Sequence, residues 1–164
     1  MNLIVAATQN WGIGYQNDLL FRIPEDQQFF KTMTEHKVIV VGRRTLDSFP
    51  KGQPLKNRKN IVFTRQNLTG YADNLVAVHN LNELETEIKG IDTDSIFVSG
   101  GEEIYRLLLG RCSTAYVTMV YEEMKADKFF PDLDKREEWI KTEESEEKLW
   151  EGLRFRYLIY KKRI

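Results

Sequence analysis

Short runs of β-branched and other apolar residues alternate along this chain with longer segments whose apolar positions recur at helical spacing. Leu3 to Ala7, Val38 to Val41, Asn60 to Thr64, Leu75 to Val78, Ser95 to Val98 and Ala115 to Val120 are predicted strands. Glu25 to Thr34, Arg43 to Asp47, Leu81 to Lys89 and Glu102 to Leu109 are predicted helices; in the last, Ile104, Leu107 and Leu108 fall at helical spacing. Strands that alternate with helices run parallel in one sheet, with helices covering both faces. The final third differs. Trp139 to Glu143 and Leu153 to Lys161 are strand-like with no helix between them, and Phe155, Tyr157 and Ile159 alternate with Arg154, Arg156 and Leu158. This pattern predicts an antiparallel hairpin at the sheet edge, with the charged run Glu143 to Lys148 as its link. The expected class is α/β in three layers: one central, mostly parallel sheet of about eight strands, a C-terminal antiparallel hairpin and about four flanking helices.

Two stretches, Gln9 to Arg22 and Phe49 to Arg58, fit neither period and are expected to be irregular. Long loops in compact domains often carry function. The first holds Trp11-Gly12-Ile13-Gly14, whose glycines suit close backbone approach to a ligand, a mobile lid or simply a turn; the pattern does not choose among these.

At 164 residues the chain is expected to form one domain over residues 1–164. Its 24 basic and 25 acidic side chains give a net charge of -1, which removes the broad positive footprint of a nucleic-acid binder. The longest early apolar run, Leu3 to Ala7, is far too short for a leader or a membrane span, so no membrane partner is expected. The single cysteine, Cys112, has no partner for a disulfide and points to a reducing, cytoplasmic address. With no extra interface segment, a monomer is the expected state.

Chemistry concentrates at strand ends. Gly12-Ile13-Gly14 is not a dinucleotide fingerprint, since Asn17 stands where the third glycine belongs and no helix opens there. Two other places join a strand end to a helix start: Gly42-Arg43-Arg44-Thr45 and Ser99-Gly100-Gly101-Glu102. Such junctions offer free N–H groups and a positive dipole end to phosphates, and the pair together suits a pyrophosphate. Close helix-on-sheet packing explains the same glycines equally well. Thr64-Arg65-Gln66 lies at another strand end and, with Arg43, suits an additional phosphate, which favours NADP over NAD. Asp26 follows Pro24 in a helix's first turn, where an acid serves the macrodipole; it also shares a side with Phe29 and Phe30, so it suits a flat amidine-like ring. His36 and His79 are expected bystanders, and no metal or nucleophile pattern is present.

Taken in order, Leu3 to Ala7, Trp11 to Gly14, Ile23-Pro24-Glu25-Asp26 with Phe29-Phe30-Lys31, Val41 to Thr45, Arg58-Lys59-Asn60, Ser99 to Tyr105, Tyr116-Val117-Thr118 and Asp127 to Pro131 resemble dihydrofolate reductase over nearly the whole chain. The resemblance implies NADPH-dependent reduction of 7,8-dihydrofolate to tetrahydrofolate, in support of one-carbon metabolism and thymidylate synthesis, with antifolate inhibitors as further ligands. It groups Asp26, Thr118, Phe21 and Leu19 as the catalytic set. Asp26 would orient the pterin and favour protonation at N5, and Thr118 would hydrogen-bond to its carboxylate.

The resemblance implies a substrate cleft of Ile4, Val5, Ala6, Leu19, Gln27, Phe30, Phe49, Leu55 and Ser99, with Ile4 and Ser99 offering backbone carbonyls and Arg58 gripping the glutamate carboxylate. For the cofactor it implies Ala6 and Ile13 against the nicotinamide, closed over by Tyr105, with Gly14 and Asn17 as further cofactor contacts. Arg43, Thr64, Arg65 and Gln66 would take the 2′-phosphate and Arg44, Thr45, Gly101, Glu102 and Ile104 the pyrophosphate, with Gly42, Ser99, Gly100 and Glu103 as further cofactor contacts. Gln9 to Phe21 would be a mobile lid with Asp127 as its docking partner. The chain departs from the family pattern at Phe21, where Trp is usual, at Ser99, where a larger apolar residue is common, and at Ala126, where Gly is common. Two rivals are a reductase of pyrimidine precursors of riboflavin and a non-catalytic pterin- or nucleotide-binding module. Asp26 and Arg58 disfavour the first; Asp26, Thr118 and the paired phosphate cradles disfavour the second.

Overall fold

The computed structural model describes all 164 residues. In chain order the strands and helices are β1 (Asn2–Thr8), β2 (Gly12–Tyr15), β3 (Asp18–Leu19), α1 (Pro24–Thr34), β4 (Val38–Gly42), α2 (Arg43–Ser48), β5 (Lys59–Phe63), β6 (Leu75–Val78), α3 (Leu81–Ile88), β7 (Ile96–Val98), α4 (Glu102–Leu108), β8 (Thr114–Val120), β9 (Lys128–Phe129), β10 (Trp139–Glu144), β11 (Lys148–Trp150) and β12 (Leu153–Lys162). The central sheet has the order β10-β12-β8-β1-β7-β4-β5-β6, with β11 also paired to β12. Strands β8, β1, β7, β4, β5 and β6 are mutually parallel, and β12 joins β8 antiparallel.

The apolar runs of β1, β4 and β7 follow from burial on both faces, and their alternation sorts residues between two cores. Leu3, Val5, Val38, Val40, Ile96 and Val98 pack on one side with Leu84 of α3 and Ile104 and Leu108 of α4. Ile4, Ile39, Val41 and Phe97 pack on the other with Leu46 of α2 and with Phe29, Phe30 and Met33 of α1. Helices therefore cover both faces, which makes the three layers.

Two expectations change. Gln9 to Arg22 is not irregular throughout: β2 and β3 form a hairpin whose turn residues, Gln16 and Asn17, both have positive φ, and β2 also pairs with β9 in a small second sheet. The charged run after Glu143 is not the terminal hairpin's link. Strands β10 and β11 both pair with β12, and Ser145 to Glu147 interrupt what is otherwise one long antiparallel partner. The tight turn is Glu151-Gly152, both at positive φ (45° and 83°), as the mirror-image two-residue turn requires. Phe49 to Arg58 is irregular apart from one turn of tight helix at Pro50–Gly52.

Candidate active site

The carboxyl ends of the parallel strands bring the chemistry together, where open α/β sheets bind ligands. Ala6 of β1 lies beside Thr118 of β8 in register. On the other side of β1, the turn after β7 touches the end of β4: the Ser99 N–H donates to the Val40 carbonyl and the Gly42 N–H to that of Gly100, both at 2.9 Å. The two glycine-bearing turns thus sit side by side at the starts of α2 and α4. A Cβ at Gly42 would meet the Ile104 side chain at 3.1 Å, so the glycine lets α4 approach this strand end closely.

Pro24 opens α1 at a position where no N–H is needed, and this sets Asp26 in its first turn. The buried Thr118 hydroxyl donates to Asp26 Oδ1 at 2.6 Å across 92 residues of sequence. Burial pushes the Asp26 carboxyl from 3.8 to about 6; the Thr118 bond pulls it down, and the neighbouring Glu25 charge raises it further. Phe30, Phe49 and Leu55 pack against the Ile4–Val41 core and form apolar walls on the same side of the sheet. Gln27 is exposed one residue beyond Asp26, and Val5 is buried in the opposite core.

Arg58 is half-buried; its guanidinium donates to the Lys56 carbonyl at 2.9 Å and to Thr34 Oγ1 at 3.2 Å, and burial lowers its pKa. The Tyr105 hydroxyl, fully enclosed, donates to the Ile4 carbonyl at 2.7 Å, so that carbonyl already has a donor.

Asp127 accepts from the Gln16 N–H at 3.0 Å, and its own N–H donates to the Gly14 carbonyl at 2.9 Å. These bonds fasten the β2–β3 segment to the segment before β9. Gly12 is crowded there: a Cβ would lie 2.8 Å from Ala126 Cβ and 2.9 Å from Thr8 Oγ1. Ile13 is half-buried, whereas Asn17 is exposed at the hairpin turn. Leu19 is 54% exposed, and Phe21 packs beside Ile23, Val120 and Phe155.

The polar corner at the ends of β4 and β5 is compact. Arg43 donates to Gln66 Oε1 at 2.7 Å and pairs with Asp47 at 3.2 Å, while the Gln66 N–H donates to Thr64 Oγ1 at 3.0 Å. Arg44 and Arg65 are exposed, as is Glu103, and Thr45 is half-buried. The Glu102 carboxylate accepts from the Phe129 N–H at 2.6 Å, so it ties α4 to β9 and leaves only its backbone toward the neighbouring turn.

Several residues near these groups escaped the sequence reading. The His79 imidazole lies at 2.7 Å from the Thr64 carbonyl, inside the polar corner, where it was expected to be a bystander. Its signal was its place at the end of β6, whose register with β5 pairs Val78 to Phe63. Tyr157 sits opposite Thr118 in register, its ring 4.5 Å from Phe29 and its hydroxyl donating to Glu25 at 3.3 Å. Burial, with the nearby Asp26 charge, raises the phenol pKa of both Tyr157 and Tyr105.

The dihydrofolate reductase family model matches residues 1–162. The chain belongs to the dihydrofolate reductase family. A dihydrofolate reductase of Heliothis virescens is 34% identical over 99% of this chain and 97% of its own length. The enzyme of Staphylococcus haemolyticus is 33% identical over 80% of this chain and 76% of its own, and a type 1 dihydrofolate reductase of Escherichia coli 32% identical over 81% and 82%. Membership makes the chain one of a family of oxidoreductases with the mixed α/β fold described above. No helix is long and apolar enough to cross a membrane.

Proposed function

We propose that the chain, acting as one domain over residues 1–164, reduces 7,8-dihydrofolate to tetrahydrofolate with NADPH as the reductant. The observation that carries this reading is the Asp26 carboxyl, held by Thr118 at 2.6 Å at the sheet's carboxyl edge with its pKa pushed up to about 6. One partly desolvated acid group facing apolar walls suits a flat ring that presents an amino group and an adjacent ring nitrogen, which a carboxylate engages through two parallel hydrogen bonds.

The residues at the strand ends fit a phosphorylated dinucleotide. Arg43, Arg65, Thr64 and Gln66 supply the donors a 2′-phosphate requires, and His79 adds an imidazole to the same corner. The paired turns at Gly42 to Thr45 and Gly100 to Ile104 offer backbone and hydroxyl groups to a pyrophosphate, with Ala6, Ile13, Gly14 and Tyr105 toward the nicotinamide. When bound, the nicotinamide supplies the hydride that forms the new C–H bond at pterin C6.

The protein contributes position and proton supply. Asp26 orients the pterin and favours proton entry at N5, while Thr118 fixes the carboxylate's rotamer. Phe30, Phe49 and Leu55 hold the aminobenzoyl end and exclude water, and Arg58 meets the glutamate carboxylate. Holding two planar reactants at reacting distance removes translational freedom worth up to about 7–11 kcal/mol. The Gln9 to Phe21 segment, docked on Asp127, serves as the lid. Antifolates with a comparable ring take the same carboxylate, and the same reading places the enzyme in the cytoplasm as a monomer. The test is a spectrophotometric assay of NADPH oxidation in the presence of dihydrofolate. Dihydrofolate-dependent turnover is expected; cofactor binding without turnover would overturn the assignment.

A further inference from the structure

The segment Leu55 to Arg58 belongs to no strand or helix, yet two asparagine side chains hold its backbone closely. Asn60, in β5, accepts from the Leu55 N–H through Oδ1 at 3.0 Å and donates through Nδ2 to the Leu55 carbonyl at 2.9 Å and the Arg58 carbonyl at 3.0 Å. Asn74, immediately before β6, donates to the same two carbonyls at 2.9 and 3.0 Å. Its backbone carbonyl accepts from the Asn60 N–H at 2.8 Å, which keeps the two amides side by side. A primary amide carries two N–H hydrogens and a carbonyl two lone pairs, so the two amides saturate both carbonyls. Aspartate has the same shape and no hydrogens to give, and an apolar residue would leave the carbonyls short of donors.

The loop fixed in this way carries two side chains of the cleft. Leu55 packs against the Ile4–Val41 core beside Phe30 and Phe49. The Arg58 guanidinium spends its Nε–H on the Lys56 carbonyl and one Nη1 hydrogen on Thr34 Oγ1, and the Thr34 hydroxyl donates onward to the Phe30 carbonyl at 2.8 Å. Two of the five guanidinium N–H donors are thereby used, and three remain for a planar carboxylate. A fork that meets a carboxylate through two parallel bonds needs both in line, so a small shift of the Arg58 backbone forfeits one of them.

From this arrangement we propose that Asn60 and Asn74 are positioning residues for the carboxylate-bearing tail of the substrate: they set the Leu55–Arg58 loop, and the loop grips the tail. The inference rests on the reductase reading and deepens it. Asn74 becomes a determinant of the preference for a pterin with a glutamyl tail over a bare one.

Steady-state kinetics with two substrates tests this: dihydrofolate, and 6-methyl-7,8-dihydropterin, which has the reacting ring and no tail. Asn60 is fully buried, where substitution endangers the fold, so the half-buried Asn74 is the position to vary. Asn74→Ala should raise KM for dihydrofolate about tenfold, the worth of one or two hydrogen bonds, and leave kcat within about twofold. Its kcat/KM for the bare dihydropterin should stay within about twofold of the parent's, a split that a general loss of stability does not produce. Asn74→Asp, isosteric but without donors, should cost at least as much on dihydrofolate. In an Arg58→Gln background Asn74→Ala should add less than about threefold, because a residue that acts through Arg58 has little left to position. A parent with no turnover of dihydrofolate would overturn the reductase reading and this inference with it. With an active parent, equal losses on both substrates, an unchanged KM for dihydrofolate, or an undiminished effect of Asn74→Ala beside Arg58→Gln would overturn the positioning role alone.

Discussion

The Asp26 pocket and the Arg43–Thr64–Gln66 corner both handle charge, but by opposite means. Asp26 is one carboxyl withdrawn from water, with a single hydroxyl partner, and burial moves its pKa from 3.8 to about 6. The corner gathers several polar groups at the surface, where Arg43 already shares donors with Gln66 and Asp47. A desolvated group acts through its protonation state, so one atom matters greatly. Exposed groups act by summed, salt-screened contacts, so each matters little.

Removing the acid should do the most. Asp26→Asn keeps the shape and an acceptor for Thr118 but carries no titratable proton; dihydrofolate turnover at neutral pH should fall by roughly 10²- to 10⁴-fold, read by steady-state kinetics. Thr118→Val should cost less, on the order of tenfold, because it removes one charge-assisted hydrogen bond. That bond lowers the Asp26 pKa, so the variant's pH inflection should also move upward, which a merely structural substitution would not do. If Thr118→Val left the inflection in place, the coupling between the two side chains would be wrong.

The corner should answer more gently. Arg43→Gln and Arg65→Gln should each reduce the preference for NADPH over NADH by no more than about tenfold, and salt should shrink the difference. Unchanged selectivity in both variants would remove the corner from cofactor recognition. The smallest effect is on stability. Because the Asp26 pKa is raised on folding, its favourable contribution is complete below 3.8 and is lost as pH climbs through about 6. Asp26→Asn should therefore melt at a higher temperature than the parent in alkaline buffer and at nearly the same temperature in acid, as followed by calorimetry.

The same contrast explains what the sequence disclosed. Val38 to Val41 and Ile96 to Val98 were legible as central strands because burial on both faces leaves a continuous apolar run. Strands β2 and β9 were not, since glycines fill one and the partners are more than a hundred residues apart. On the exposed outer strand β10 no alternation exists, so the charged run drowned the true Glu151-Gly152 turn. Asp26 alone looked like an ordinary first-turn acid; its partner Thr118 lies 92 residues away, and only the resemblance to a family joined them. His79 and Glu102 show the remaining limit, because where their side chains bond depends on neighbours that folding supplies.

Single-turnover reduction of dihydrofolate, followed across pH in the parent and in Asp26→Asn, tests the role of the half-buried acid most directly. The parent rate should fall on the alkaline side of an inflection near 6, and the variant should be slow and lack that inflection. Superimposable profiles in the two proteins would contradict the account.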